Sequence, residues 1–530
     1  MIGAGLAGLH GLLAQAAPSS NTLPPLHIPN VEYKAMTPEL ILMGAALVLL
    51  LLSSVSRARP FKGAYASFTV VAGLAAGGAA WFQWQDVARH GSYRAVANAL
   101  VVDGFSVFFM FLICAAVVLG ALVADAYLRR EELEGPEFYV LLMLVASGGM
   151  FMASANDLIV VFLGLEILSI ALYVLTAFHR RRAESQEAAM KYFLLGAFSS
   201  ALFLYGVALT YGATGSTNLV EIGSYLSQNV IVTNGLLLAG LALLLVGLGF
   251  KVAAVPFHAW TPDVYQGAPT PVTGFMAAAS KAAGFAALLR IFFTTFGVMK
   301  LDWQPLVWAL AVLTLLVGSV LALVQSDIKR MLAYSSISHA GYVLIGLEAA
   351  TNKGIAGSLY YLLAYTFMVL GSFAIVALVG RRGDAAHALD DYRGLASRQP
   401  GLALAFTVFL MAQAGIPFTT GFLAKFYVIT AAVSAHSYAL ALIGMLAAVI
   451  AAFFYLRVIV VMYTPASGAD ASGEADAAGT ADAAGAGARI PLPFGTGLAL
   501  AITLAVTLAF GIVPQPMIHF ATEASRRLLF

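Results

Sequence analysis

The chain has 530 residues, of which 61% are hydrophobic and 10% charged, with a net charge of +2. Soluble domains run about 25% charged, so a water-soluble fold is excluded and an all-α polytopic membrane protein is expected. No basic tract points to nucleic acid, and a lone Cys114 excludes an internal disulfide and a cysteine-ligated iron–sulfur cluster. No GxGxxG follows a strand, and there is neither a P-loop nor an HExxH, so redox or ATP chemistry would have to occur in another chain.

Taken in order, residues 1–36 read as an N-terminal extension. Residues 1–17 are apolar but lack the positive start of a signal peptide, and Pro18 ends them. A further span or a signal sequence there stays open. Fourteen apolar stretches follow, most near the ~20 residues needed to cross ~30 Å. Three lie in 37–124, five in 138–296, five in 303–463 and one in 494–514. Residues 464–493 hold a low-complexity Ala/Gly/Asp run without branched or aromatic residues at its centre, so a disordered cytoplasmic loop is expected. Lys and Arg favour one set of loops by two to one, which makes that side cytoplasmic and places both termini outside.

Two spans contain proline. GLGFKVAAVPFHAW carries Pro256, and AQAGIPFTTGFLAKF carries Pro417. Proline removes a backbone hydrogen bond and clashes with the preceding turn, so each helix should be kinked or broken. These are the seventh and twelfth stretches. An offset of five helices makes the two units face opposite ways, an inverted repeat comprising helices 4–8 and 9–13.

Four ionisable residues interrupt the apolar stretches: Glu166, Lys251, Lys281 and Lys425. A charge in hydrocarbon costs at least ~2.5–3.5 kcal/mol, and such groups usually mark ion or proton pathways. A carboxylate about 6 Å from an ammonium, at an effective dielectric near 20, interacts by roughly 3 kcal/mol. Moving or neutralising Glu166 would therefore release a proton from a neighbouring lysine. The competing reading makes Glu166 and its lysine a packing pair. Lys281 lies mid-span among small residues that leave room for water, whereas Lys425, later in its helix, is open to snorkelling. His258 follows Lys251 by two helical turns. His339 has Ser335, Ser336 and Ser338 beside it, and Glu187 with Lys191 forms an i,i+4 pair. Asp103, Asp125 and Asp327 fall at span ends and read as interfacial.

The runs GLEILSIALYVL, FKVAAVPFHAWTPDVYQGAPTPVTGFMAAASKAAGF, SDIKRMLAYSSISHAGY and AGIPFTTGFLAKFY closely resemble the subunit N family of bacterial NADH:quinone oxidoreductase, respiratory complex I. The resemblance covers about residues 37–515. Subunit N is preferred because the twelfth helix carries a lysine where subunit M has an acid, and the long lateral helix of subunit L is absent. The resemblance implies a proton relay of Glu166, Lys251, Lys281 and Lys425, with His258, His339, Glu187 and Lys191 as accessory groups. It implies no cofactor or metal bound by this chain. NADH, FMN, iron–sulfur clusters and quinone would belong to other subunits of the membrane and peripheral arms, and the site of action would be the bacterial inner membrane. Two rivals stay open: a subunit of a multisubunit sodium/proton antiporter or related hydrogenase complex, and a structural anchor.

Overall fold

The computed structural model describes residues 31–55, 61–229, 235–465 and 490–528. Most of the expected N-terminal extension and most of the Ala/Gly/Asp loop lie outside these residues. The fold is almost entirely helical.

A 3-10 turn, Tyr33–Met36, leads into Thr37–Val55 (α1) and Ala64–His90 (α2). A two-stranded antiparallel hairpin, Tyr93–Ala95 (β1) and Leu100–Val102 (β2), pairs Tyr93 with Val102. Then come Gly104–Arg130 (α3), Pro136–Ser154 (α4), Leu158–Thr176 (α5) and Ala183–Thr214 (α6). The short amphipathic Leu219–Gln228 (α7) precedes Gly235–Val252 (α8), and Trp260–Gly267 (α9) precedes the long helix Thr270–Thr295 (α10). Lys300–Leu323 (α11), Ile328–Glu348 (α12) and Asn352–Val379 (α13) follow. After the single turn Leu395–Arg398 (α14) come the half-helices Pro400–Ala414 (α15) and Thr420–Ser434 (α16). Tyr438–Tyr463 (α17), Phe494–Ile512 (α18) and Gln515–Arg526 (α19) complete the chain.

Among the described residues, 12 helices are long and apolar enough to cross a membrane. Of the other two expected stretches, 327–347 corresponds to α12, a 21-residue helix. Its serines, histidine and charges make it too polar to be counted among the twelve. The stretch 400–429 is two half-helices of 15 residues each, separated around Pro417 as expected. The proline-bearing 235–258 is broken as expected, with Pro256 inside the break. Helix α8 stops at Val252, and the chain turns through Ala253, at a left-handed φ of 61°, before Pro256 is reached.

Burial sorts the helices into layers. α10 is buried along its whole apolar window, and nearly every residue of α12 is enclosed. Outer helices turn Leu47, Phe82, Phe198 and Val449 outward. Such large apolar side chains belong against hydrocarbon. Several starts are fixed by side-chain caps, which satisfy N–H groups that lack helical partners. Asp103 accepts from Ser106 N at 2.7 Å, Asp157 from Ile159 N at 2.8 Å, and Asp327 from Arg330 N at 2.8 Å.

One local device occurs twice. Asp157 forms an isolated antiparallel bridge with Asn218, and Asp327 forms one with Ala388. Both residues shift by the same number of positions between the two bridges. The hydrogen bonds match as well. Leu158 N donates to Thr217 O at 2.9 Å and Leu219 N to Asn156 O at 2.9 Å, while Ile328 N donates to His387 O and Leu389 N to Ser326 O, both at 2.8 Å.

Candidate functional site

Lys251 lies in the last turn of α8, is 3% exposed, and donates to Ser169 Oγ at 2.9 Å and Tyr192 OH at 3.2 Å. The Tyr192 ring also faces the ammonium at 5.6 Å and stacks on Trp260. Glu166 sits one turn before Ser169 on α5. It acts on Lys251 through space, but the two make no ion pair within 4.0 Å among the described residues, and Glu166 Oε1 is buried without a hydrogen-bond partner. The direct contact expected of an acid–lysine pair is thus taken by two hydroxyls. Gly284 of α10 presses on the lysine stem, where an added Cβ would lie 3.2 Å from Lys251 Cγ.

Lys281 begins an α-helical stretch directly after the π-helical turn Met276–Ser280. Such turns interrupt regular backbone pairing and are frequent at functional sites. The lysine is 3% exposed, and its Nζ donates to the Ser336 carbonyl of α12. Tyr192 also lies close to Ser280, next to Lys281. On the α12 side, Ser336 Oγ bonds Tyr365 OH at 2.8 Å and Tyr265 OH at 3.4 Å.

A buried polar ladder continues from Ser336. Ser335 Oγ bonds Tyr455 OH, which lies 3.1 Å from His339 Nε2, and His339 Nδ1 lies 2.6 Å from Tyr361 OH. Ser335 Oγ also donates to Gln413 Oε1 at 3.4 Å, and Gln413 Nε2 donates to Ser372 Oγ at 2.7 Å. Gln413 belongs to α15, whose C-terminal carbonyls meet the last lysine. Lys425 Nζ donates to Gln413 O and Ala414 O, both at 2.8 Å, and faces the Tyr342 ring at 5.0 Å. An ammonium at a helix C-terminus is favoured by the partial negative charge there. Lys425 is 5% exposed and does not snorkel.

The accessory groups separate. Glu187 Oε1 lies 2.7 Å from Lys191 Nζ, as the spacing predicts. The same ammonium meets Asp263 Oδ2 at 2.7 Å, and Arg330 holds the other oxygen of Asp263 at 2.7 Å. Burial would raise the Asp263 carboxyl, but hydrogen bonds from Lys191 and Arg330 outweigh it and hold the group below the usual carboxylate range. His258 is half-buried, with Nδ1 unpartnered among the described residues. Because α8 stops at Val252, His258 does not continue the helical face of Lys251, which corrects that expectation.

Other charges escaped the sequence reading. Asp103 lies at a span end as expected, as the N-cap of α3, but not in water. It is fully buried and takes both Arg290 terminal nitrogens at 2.9 Å, while Arg290 also donates to Ala153 O. Arg290 shares a span with Lys281, and its charge in an apolar run was the available signal. Asp384 lies in a cluster that no local pattern announces. It receives Arg182 at 3.1 Å, Lys329 at 3.1 Å, Thr270 at 2.8 Å and His387 at 2.9 Å. Burial opposes the Asp384 charge, but Lys329 and His387 hold its carboxyl well below the usual range. No group of three His, Cys, Asp or Glu could hold a metal among the described residues.

A family model described as "NADH:quinone oxidoreductase/Mrp antiporter, TM" matches residues 155–451, the segment that contains Lys251, Lys281 and Lys425. NADH-quinone oxidoreductase subunit N of Trichlorobacter lovleyi is 43% identical over 495 residues, spanning 93% of this chain and 97% of that one. The chain belongs to the NADH-quinone oxidoreductase subunit N family. Its relatives are subunits of an enzyme complex. A chain of respiratory complex I from Thermus thermophilus superposes with a TM-score of 0.73 at 31% identity, covering 91% of this chain and 98% of that chain. A chain of the Mrp complex from Dietzia sp. reaches a TM-score of 0.81 at 21% identity, over 93% and 97%, which shows a shared antiporter-like fold alone.

Proposed function

We propose that this subunit N family member moves protons across the bacterial inner membrane along Glu166, Lys251, Lys281 and Lys425. Quinone reduction in other complex I subunits would drive it. NADH, FMN, iron–sulfur clusters and quinone belong to those subunits in this reading, and this chain binds none of them. The chain crosses the membrane fourteen times with both termini outside, and helices 4–8 and 9–13 form inverted repeats. The twice-used bridge at Asp157 and Asp327 supports that repeat, because it joins the second and third helices of each unit at matching positions.

The observation that carries the reading is the line of buried lysines with hydroxyl, imidazole and amide side chains packed between them, although Lys281 and Lys425 themselves bond main-chain carbonyls. Lys251 touches Tyr192, which reaches Ser280 beside Lys281. Lys281 touches Ser336, and the Ser335–Tyr455–His339 ladder with Gln413 extends to the Lys425 site. In each transfer an ammonium loses one proton to a hydroxyl or water chain and becomes a neutral amine, while the next amine gains one. Glu166 sets the timing. Its carboxylate stabilises the Lys251 ammonium through space, and weakening that field releases the proton. Glu187, Lys191, His258 and His339 are accessory to uptake and passage. Moving one charge against the membrane potential costs about 2.3 kcal/mol per 100 mV, which the redox reaction must supply.

Lys281 provides the test. Lys281→Arg keeps the charge but raises the pKa above ~12, so the group hardly releases its proton. Lys281→Met removes the charge at little packing cost. Quinone-dependent proton uptake into sealed vesicles, normalised to assembled complex, should fall with Arg at least as far as with Met. Tolerance of Arg together with loss in Met would make Lys281 a fixed counter-charge.

A further inference from the structure

The helix that carries Lys281 is not regular throughout. Within α10, π-helical turns occupy Met276–Ser280 and Ile291–Thr295, and an α-helical segment of 10 residues, Lys281–Arg290, lies between them. A π turn interrupts the regular pairing that would pass a rotation from one part of a helix to the next. The setting of this segment must therefore be fixed from its sides. Its first residue is the relay lysine, and its last is a buried arginine that the relay does not use.

Arg290 is 2% exposed, and its guanidinium ties two other helices at once. Nη1 and Nη2 each donate to one oxygen of Asp103 at 2.9 Å, while Nε and Nη2 donate to Ala153 O at 3.2 and 3.0 Å. Asp103 is itself held in place as the N-cap of α3, and Ala153 lies in the last turn of α4. The guanidinium also lies over the Phe105 ring at 4.8 Å. Nine positions separate Lys281 from Arg290, about two and a half turns, so the two side chains leave α10 on opposite faces. Lys281 thereby meets α12, and Arg290 meets α3 and α4. On the arginine's face the helices close tightly, since a Cβ added at Gly149 of α4 would lie 3.1 Å from Ala283 Cβ. A buried ion pair adds little net stability over apolar side chains of the same volume. What the planar fork adds is direction, because its two parallel bonds hold one orientation.

We propose that Arg290 and Asp103 form a positioning pair for the relay: the fork sets the roll of Lys281–Arg290 against α3 and α4, and so holds Lys281 Nζ on the Ser336 carbonyl. This rests on the reading of Lys281 as a proton carrier. The test measures quinone-dependent proton uptake into sealed vesicles, per assembled complex and as a function of pH. Arg290→Lys keeps the buried charge but loses the fork, and Asp103→Glu keeps the charge but moves it by one methylene. Both should assemble, lower uptake about fivefold and move the pH of half-maximal uptake, since neither change is conservative at a bidentate site. In a Lys281→Met background, Arg290→Lys should cost nothing further, because the pair acts through that lysine. Wild-type uptake in both single variants, a loss that leaves the pH profile in place, losses that multiply with that of Lys281→Met, or failure of both variants to assemble would each overturn the positioning role. Wild-type uptake in Lys281→Met alone would instead remove the relay reading, and this inference with it.

Discussion

Lys251 and Lys425 stand at the two places where a proline-bearing segment interrupts a helix, yet their partners differ in kind. Lys251 is held by the hydroxyls of Ser169 and Tyr192, within the field of Glu166. Lys425 is held by two main-chain carbonyls at the end of a half-helix and by an aromatic face. Hydroxyls accept a proton as readily as they donate one, so Lys251 keeps partners in either protonation state. Carbonyls only accept, so they favour the ammonium alone. In the proposed relay, the first site would therefore suit a change of charge and the second would keep its charge until something displaces it. Under that proposal, helices broken in the same manner would serve different steps.

The largest expected effect tests that contrast directly. Glu166→Ala and Lys251→Met should each lower proton pumping and quinone reductase activity together, by tenfold or more on the order of one to two pKa units of lost coupling. They should also weaken assembly on a native gel, Glu166→Ala because it removes the carboxylate facing the buried Lys251 and Lys251→Met because it leaves Glu166 Oε1 without a nearby cation. Lys425→Met should lower pumping but assemble at least as well as wild type, because no buried carboxylate depends on it. If Lys251→Met assembles normally and pumps, or if Lys425→Met fails to assemble while Lys251→Met succeeds, the two sites are not divided as described.

How much of this was legible in the sequence follows from the range of each signal. Span existence rests on some twenty consecutive apolar residues, and even polar α12 kept its place because its neighbours fixed the count. The four charges stood out because their windows are otherwise almost wholly apolar, although Arg290 in the span of Lys281 was passed over. Both breaks were readable from their prolines, but the residue at which each helix ends was not. The chain leaves α8 at Ala253 and α15 at Gly415, each at a left-handed φ shortly before its proline. Partners were the least legible. Ser169 and Tyr192 meet Lys251 from 82 and 59 positions away. A lone serine or tyrosine in an apolar helix carries no periodic mark of its partner. Asp384 gathers Arg182, Thr270 and Lys329 from three separate segments for the same reason, and only His387 is local to it.

A second contrast lies in the glycines that touch the two lysine stems. Gly415 ends α15 at a left-handed φ of 92°, and a Cβ there would meet Lys425 Cδ at 3.0 Å. Gly284 is helical, and its Cβ would meet Val252 Cγ1 at 3.0 Å and Lys251 Cγ at 3.2 Å. Gly415→Ala combines backbone strain of ~1–2 kcal/mol with crowding. Gly284→Ala faces the same crowding but regains up to ~1 kcal/mol of helix propensity. Thermal inactivation of the assembled complex should therefore shift further for Gly415→Ala. The reverse order would mean that the α8–α10 contact around Lys251 is the more rigid of the two.

The smallest effect belongs to Ser169→Ala. It deletes one of the two hydroxyls on Lys251 and leaves Tyr192 and the Glu166 field in place. A hydrogen bond to a charged group contributes ~1.5–3 kcal/mol when it is lost outright. Tyr192 and a water admitted beside the shortened side chain would recover most of that. Pumping normalised to assembled complex should fall about three- to fivefold, with assembly unchanged. Combining Ser169→Ala with Glu166→Gln should cost less than the product of the two single effects, because both act on the same ammonium. Strict multiplication would show that Ser169 and Glu166 serve different protons. No counterpart exists at Lys425, whose acceptors are main-chain carbonyls that no side-chain substitution removes. That asymmetry makes the first site the one a single hydroxyl can tune.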